Sequence, residues 1–207
     1  MSQGAEASVS LHHHDPEGTR FGMWLFLYSE MLLFGAMFVA YAWYSSQYRP
    51  VFLEGSTNLS QILGLVNTII LLTSSLTVAL SIAAIQKGNK RLSIGLLVST
   101  ILFALGFLAI KFVEWRSKFH HGIYPGSPDL AQADQGTNVF YALYYAMTGM
   151  HGLHVIVGMV ILTIMLVQLA RNRICREKNL ALEISGLYWH LVDVIWIFLF
   201  PLFYLIH

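Results

Sequence analysis

"VFYALYYAMTGMHGLHVIVGMVILTIMLVQLA", residues 139–170, runs for 32 residues without an Asp, Glu, Lys or Arg. A helix that crosses lipid needs about 20 mainly apolar residues, so this stretch is long enough to span and too apolar for a soluble surface. At its centre, "TGMHGLHVIVG" (148–158) sets His151 and His154 three residues apart among glycines and aliphatic side chains. The same type of run occurs four more times. The five predicted spans are about 21–44, 59–85, 92–114, 139–170 and 183–206. Polar or turn-forming segments separate them: "RPVFLEGSTN" (49–58), "QKGNKR" (86–91), "HHGIYPGSPDLAQADQG" (120–136) and the charged hairpin "RNRICREKN" (171–179). The runs are long and do not alternate, which argues against a β-barrel. The expected fold is an all-α membrane bundle of five helices behind a polar tail, residues 1–20, that contains "LHHHDPEG" (11–18).

Composition agrees with that architecture. Charged residues are 11% of the 207 residues, against roughly 25% in an ordinary soluble domain. The net charge of +1 supplies no basic patch for nucleic acid. A single cysteine, Cys175, excludes an intrachain disulfide and any multi-cysteine metal site. The first twenty residues lack the apolar core of a cleavable signal peptide. Five spans put the termini on opposite sides. Arg20, Lys87, Lys90, Arg91, Arg171, Arg173, Arg176 and Lys178 then share the N-terminal side, against Arg49, Arg116 and Lys118 on the other. That bias predicts a cytoplasmic N-terminus and an outward C-terminus. Trp24, Tyr41, Trp43, Tyr44 and Trp115 fall near span ends, as interfacial aromatics do. No repeat of helix pairs is visible, which argues against a transporter built from inverted halves.

Ionisable groups inside the hydrocarbon need partners in the bundle interior. The first span carries Glu30. The second carries Asn67 and the run Thr73, Ser74, Ser75, expected to bond between helices or back to their own helix. The fourth carries His151 and His154, and the fifth Glu183, His190 and Asp193. By the helical rise, Glu30 lies roughly 14 Å into its helix, His190 about 10 Å and Asp193 about 15 Å. His154, approaching from the opposite side, lies roughly 8 Å from the inner edge of a ~30 Å core. Spacings of three and seven put each histidine set on one face, and the short hairpin makes the two helices antiparallel neighbours. These faces are expected to meet. The residues leave three readings: metal or bis-histidine haem ligation, a proton relay, or a polar clamp in which His151, His154, His190, Asp193 and Glu183 fix the two helices. The absence of a Glu-x-x-His motif counts against a di-iron carboxylate centre. Glu30 has no basic neighbour in its helix. It reads either as a neutral acid donating one hydrogen bond or as a carboxyl that exchanges protons or contacts lipid. Glu114 and Trp115 read as an interfacial anchor at a helix end. The tail histidines could hold a metal only weakly.

Five motifs together resemble subunit III of haem-copper terminal oxidases. They are "LYSEMLLFGAMFVAY" (27–41), "VNTIILLTSSLTVA" (66–79), "LGFLAIKFVEW" (105–115), "TGMHGLHVIVG" (148–158) and "YWHLVDVIWIFLFPLFY" (188–204), in the family's order. The resemblance implies a non-catalytic chain without redox centre or metal of its own. It belongs to a respiratory complex that reduces O2 to water, with haem and copper in partner subunits. It also implies packing against subunit I, bound phospholipid, support of proton uptake, and residence in a bacterial cytoplasmic (inner) membrane. By position, Glu30 matches the family's buried glutamate, and His151, His154, His190 and Asp193 its interhelical signature. Long members have seven helices; five resemble the short bacterial form, including that of quinol oxidases. The alternatives are an accessory protein of nitric oxide reductases, which shares the fold, and an independent membrane haem or metal protein.

Overall fold

The computed structural model describes residues 16–124, 126–177 and 179–206. Its helices are α1 (Pro16–Gln47), α2 (Arg49–Thr57), α3 (Gln61–Gln86), α4 (Lys90–His120), α5 (Pro128–Ala131), α6 (Gln135–Ala170) and α7 (Leu180–Tyr204), and among the described residues there is no strand. Five of them, α1, α3, α4, α6 and α7, are long and apolar enough to cross a membrane, matching the five expected spans. Side-chain oxygens cap the starts. Asn89 accepts from the Leu92 amide at 3.2 Å, and Asp134 from the Gly136 amide at 3.0 Å. Each cap satisfies one of the amides that a helix start leaves without an intrahelical acceptor.

The helices run past the apolar segments that reveal them in the sequence. α1 begins at Pro16, so residues 16–20 are helical and do not belong to the tail; the histidines of that tail lie outside the described residues. α4 continues six residues beyond Glu114, ending with Lys118 and His120 in its last turn, where cations face the negative end of the helix dipole. The segment 49–58 holds more than a break. Pro50 stands in the first turn of α2, which needs no amide from it, and Phe52, Gly55 and Ser56 of this short helix are buried. Ser56 donates to the Ile206 carbonyl at 2.9 Å, tying α2 to the end of α7.

α3 and α4 form an antiparallel hairpin turned at Gly88, whose φ of 79° suits a residue without Cβ. Hydroxyls line its seam: Thr77 and Thr100 meet at 2.8 Å, Ser81 and Ser93 at 2.9 Å. α7 packs between α3 and α6. Close approach is bought by small residues: a Cβ at Gly158 would come within 2.8 Å of the Trp189 ring, and one at Gly64 within 2.9 Å of Phe200 and Tyr204. α1 is peripheral. Only 11% of its apolar window is buried in the chain, against 50% for α7, so most of α1 faces bilayer or another molecule.

Candidate functional site

Glu30 finds its partner on α6. Its Oε2 lies 2.9 Å from His154 Nε2, with both side chains mostly shielded. The other ring nitrogen, Nδ1, lies 2.8 Å from the Met150 carbonyl, which can only accept. Nδ1 therefore carries a hydrogen, and one further proton is shared between Nε2 and the Glu30 carboxyl. With that proton on the acid the pair is two neutral groups; with it on the ring it is an ion pair. The net charge is zero in both cases, which suits a low-dielectric setting. Phe34 meets the imidazole edge-on at 5.3 Å, and the Tyr188 ring stacks at 6.5 Å. The expected depths of Glu30 and His154, roughly 14 and 8 Å, did not single out this pair; His190, at about 10 Å, was the nearer match.

The expected clamp between α6 and α7 is not what these side chains form. α7 turns Tyr188 and Trp189 toward α6: the Tyr188 hydroxyl donates to the His154 carbonyl at 3.3 Å, and Trp189 covers Gly158. His190 and Asp193 share a face, as their spacing requires, but it looks to α3. His190 Nδ1 bonds Ser75 Oγ at 2.6 Å, and Ser75 lies beside Asp193 as well. The physical reason is angular. Successive helical residues are 100° apart, so Tyr188 faces α6, Trp189 bridges α6 and α3, and His190 turns to α3. Both Asp193 oxygens are buried without a hydrogen-bond partner among the described residues. His151 is also fully buried and unpartnered, its ring between Phe107 at 5.5 Å and Trp196 at 5.2 Å. Glu183 sits in the first turn of α7, accepting from Arg20 at 3.2 Å and Gln86 at 3.0 Å. Of the hydroxyl run, Ser74 receives the Trp189 indole N–H at 3.0 Å and Thr73 bonds back to the Ile69 carbonyl at 2.7 Å; Thr68, outside that run, receives the Trp196 indole N–H at 3.0 Å, and the buried Asn67 amide has no partner among the described residues.

A second buried cluster is the one that reading the sequence missed. Glu114, expected as no more than an interfacial anchor, is 5% exposed and bonded within the bundle. Its carboxylate accepts from Lys111 Nζ at 3.0 Å, the Tyr144 hydroxyl at 2.9 Å and the Tyr204 hydroxyl at 2.8 Å. Lys111 also donates to Tyr144 and Tyr204, at 3.2 and 2.9 Å, which uses all three ammonium hydrogens. The network is closed and joins α4, α6 and α7. Beside it, Lys118 donates to the Asn58 carbonyl at the end of α2. The signal was present in "KFVEWRSK" (111–118): spacings of three and four put Lys111, Glu114 and Lys118 on one helix face.

The described residues hold no group of three or more His, Cys, Asp or Glu arranged to take a metal. The histidines of the fourth and fifth spans go instead to a carboxyl, a hydroxyl and an aromatic cage. What the arrangement defines is a multi-pass helical membrane protein whose buried polar groups bind its helices to one another. Residues 4–207 match the family described as Cytochrome c oxidase subunit III, and the chain belongs to that family, the third subunit of haem-copper oxidases. It is 32% identical over 198 residues to the cytochrome bo(3) ubiquinol oxidase subunit 3 of Pseudomonas putida, covering 94% of this chain and 88% of that one. It is 33% identical over 212 residues to the cytochrome c oxidase subunit 3 of Prototheca wickerhamii, covering 96% and 74%. A third relative is the heme-copper oxidase subunit I+III of Aeropyrum pernix, 30% identical over 197 residues; the match covers 90% of this chain but only 22% of that longer protein. Family membership brings the respiratory setting and association with other oxidase subunits.

Proposed function

We propose that this chain is a non-catalytic subunit that stabilises the catalytic subunit I of a terminal oxidase and keeps proton uptake intact during turnover. Subunit I is its main contact, and haem and copper reside in partner subunits. The Aeropyrum relative supports that contact, because its name joins subunits I and III in one protein. The bias of basic residues supports a cytoplasmic N-terminus in a bacterial inner membrane. The observation that carries the functional part is the Glu30–His154 pair at 2.9 Å. It is a shared-proton pair placed where the thinly covered α1 meets the bundle, within reach of phospholipid on the open side. It can hold a proton, or move it between the carboxyl and the ring, without a net buried charge.

The test is Glu30→Gln and Glu30→Ala in the intact oxidase. Both variants are expected to assemble. Both should show slower proton uptake or a shortened lifetime under turnover, by several-fold. Wild-type uptake together with wild-type lifetime would refute the role given to Glu30. An optical spectrum and metal analysis of the separated chain addresses the cofactor assignment; a stoichiometric haem band would overturn it.

A further inference from the structure

α7 carries a polar side chain on the ridge that it turns away from the bundle. Residues three and four apart share a helix face, so Leu187, His190, Val194 and Ile197 form that ridge. Val194 and Ile197 are 45% and 42% exposed, and His190 is half-buried between them and α3. The imidazole is held from one side only. Its Nδ1 meets the Ser75 hydroxyl of α3 at 2.6 Å, whereas Nε2 makes no hydrogen bond among the described residues. The ring thus brings a polar atom to a surface that is otherwise apolar, with Leu72 of α3, one turn before Ser75, 48% exposed beside it.

Depth decides what can serve that nitrogen. His190 stands ten residues from the start of α7 (Leu180–Tyr204) and fourteen from its end. Ser75 stands fourteen residues from the start of α3 (Gln61–Gln86) and eleven from its end. At the helical rise, the pair is about 15 Å or more from every end of both helices, near the middle of a ~30 Å core. Lipid head groups and ester oxygens lie outside that core, and acyl chains offer neither donor nor acceptor. A short ring already fixed at Ser75 cannot snorkel to the interface as a long side chain does. An unpaired polar atom in hydrocarbon is costly, and ionisable side chains within a span are paired. The missing group therefore belongs to a protein. We propose that the outward ridge of α7, together with Leu72 of α3, is the docking surface for a transmembrane helix of another oxidase subunit, which brings a hydroxyl, amide or carboxyl side chain to His190 Nε2. This rests on the chain's place in a multi-subunit oxidase, not on the role given to Glu30. The Glu30 variants leave His190 untouched, so the two readings fail separately.

The experiment places the photocrosslinker p-benzoylphenylalanine at position 194, in place of the exposed valine, in the intact oxidase in its own membrane. Mass spectrometry then identifies the adduct, which should be a polypeptide of the complex. Adducts with lipid or quinone alone would overturn the proposal. A detergent titration of the same complex reads the hydrogen bond itself. His190→Leu should weaken retention of the crosslinked subunit by about three- to tenfold, the scale of one interhelical hydrogen bond. His190→Gln, whose amide can still bond across, should recover part of that loss. Ser75→Ala removes only the bond within this chain and should cost less. Equal retention in His190→Leu and Ser75→Ala would reduce His190 to a packing residue and refute its docking role.

Discussion

Glu114 receives hydrogen bonds from one lysine and two tyrosines, and those donors sit on three helices. Removing it strands an ammonium that is 7% exposed. Breaking one side of a buried pair costs about 3–5 kcal/mol, because the remaining charge stays desolvated. Glu114→Ala is therefore expected to lower the thermal midpoint of the purified assembly steeply. The double variant Glu114→Leu with Lys111→Met should recover most of the loss, since exchanging both partners for apolar groups leaves no orphan. Differential scanning fluorimetry of the two variants reads this directly; a double variant no better than the single one would refute the pair. The buried histidines and carboxyls were legible in the sequence as residues that must be paired, because hydrocarbon penalises each alone. Their partners were not. A spacing of three fixes which residues share a face, and it is silent on the neighbour that face meets, so His154 was matched with α7 although its partner is on α1. Glu114 was misjudged for another reason: α4 continues beyond the apolar run, so a carboxyl near the end of that run stands well inside the helix.

Helix by helix, the bundle is assembled by contacts between large rings and missing side chains. Gly158 and Gly186 both take a neighbour at less than contact distance from an added Cβ, but the neighbours differ. At Gly158 the obstacle is the fully buried Trp189 ring, at 2.8 Å. At Gly186 it is the terminal Cδ1 of Ile82, at 2.6 Å, the mobile end of a flexible side chain. Gly158→Ala is expected to destabilise by about 1–3 kcal/mol, the usual cost of overpacking. Gly186→Ala should fall within about 1 kcal/mol of the parent, helped by alanine's better helix propensity. Thermal midpoints that fail to separate the two substitutions would contradict this packing. The number and placement of the long helices were readable because twenty apolar residues have few alternatives. α2 was not, since nine residues of mixed polarity carry a helix only when Phe52, Gly55 and Ser56 are covered from outside.

On the scale of the whole chain, polar ties to α1 are spread along its length. Arg20 meets Glu183 at one end, Glu30 meets His154 in the middle, and the Tyr41 hydroxyl donates to the Leu202 carbonyl near the other end. The exposed Arg20 pair contributes little. Glu30→Gln combined with Tyr41→Phe should therefore loosen α1 selectively. Hydrogen–deuterium exchange is expected to rise in peptides from α1 and to stay near wild type in α7. An equal rise across both would mean that α1 is integral to the core.

These ties span the chain unevenly. Glu30 and His154 are 124 residues apart, and Tyr41 and Leu202 are 161 apart, whereas Ser81 and Ser93 are separated by 12. During synthesis the α3–α4 hairpin can zip up soon after both helices enter the bilayer. α1 is inserted before them, yet the groups that secure it are made last. It must remain in the membrane as a single unattached helix, with a carboxyl lacking its histidine, until α6 and α7 arrive. Insertion factors or neighbouring subunits that shield such a helix would act in that interval.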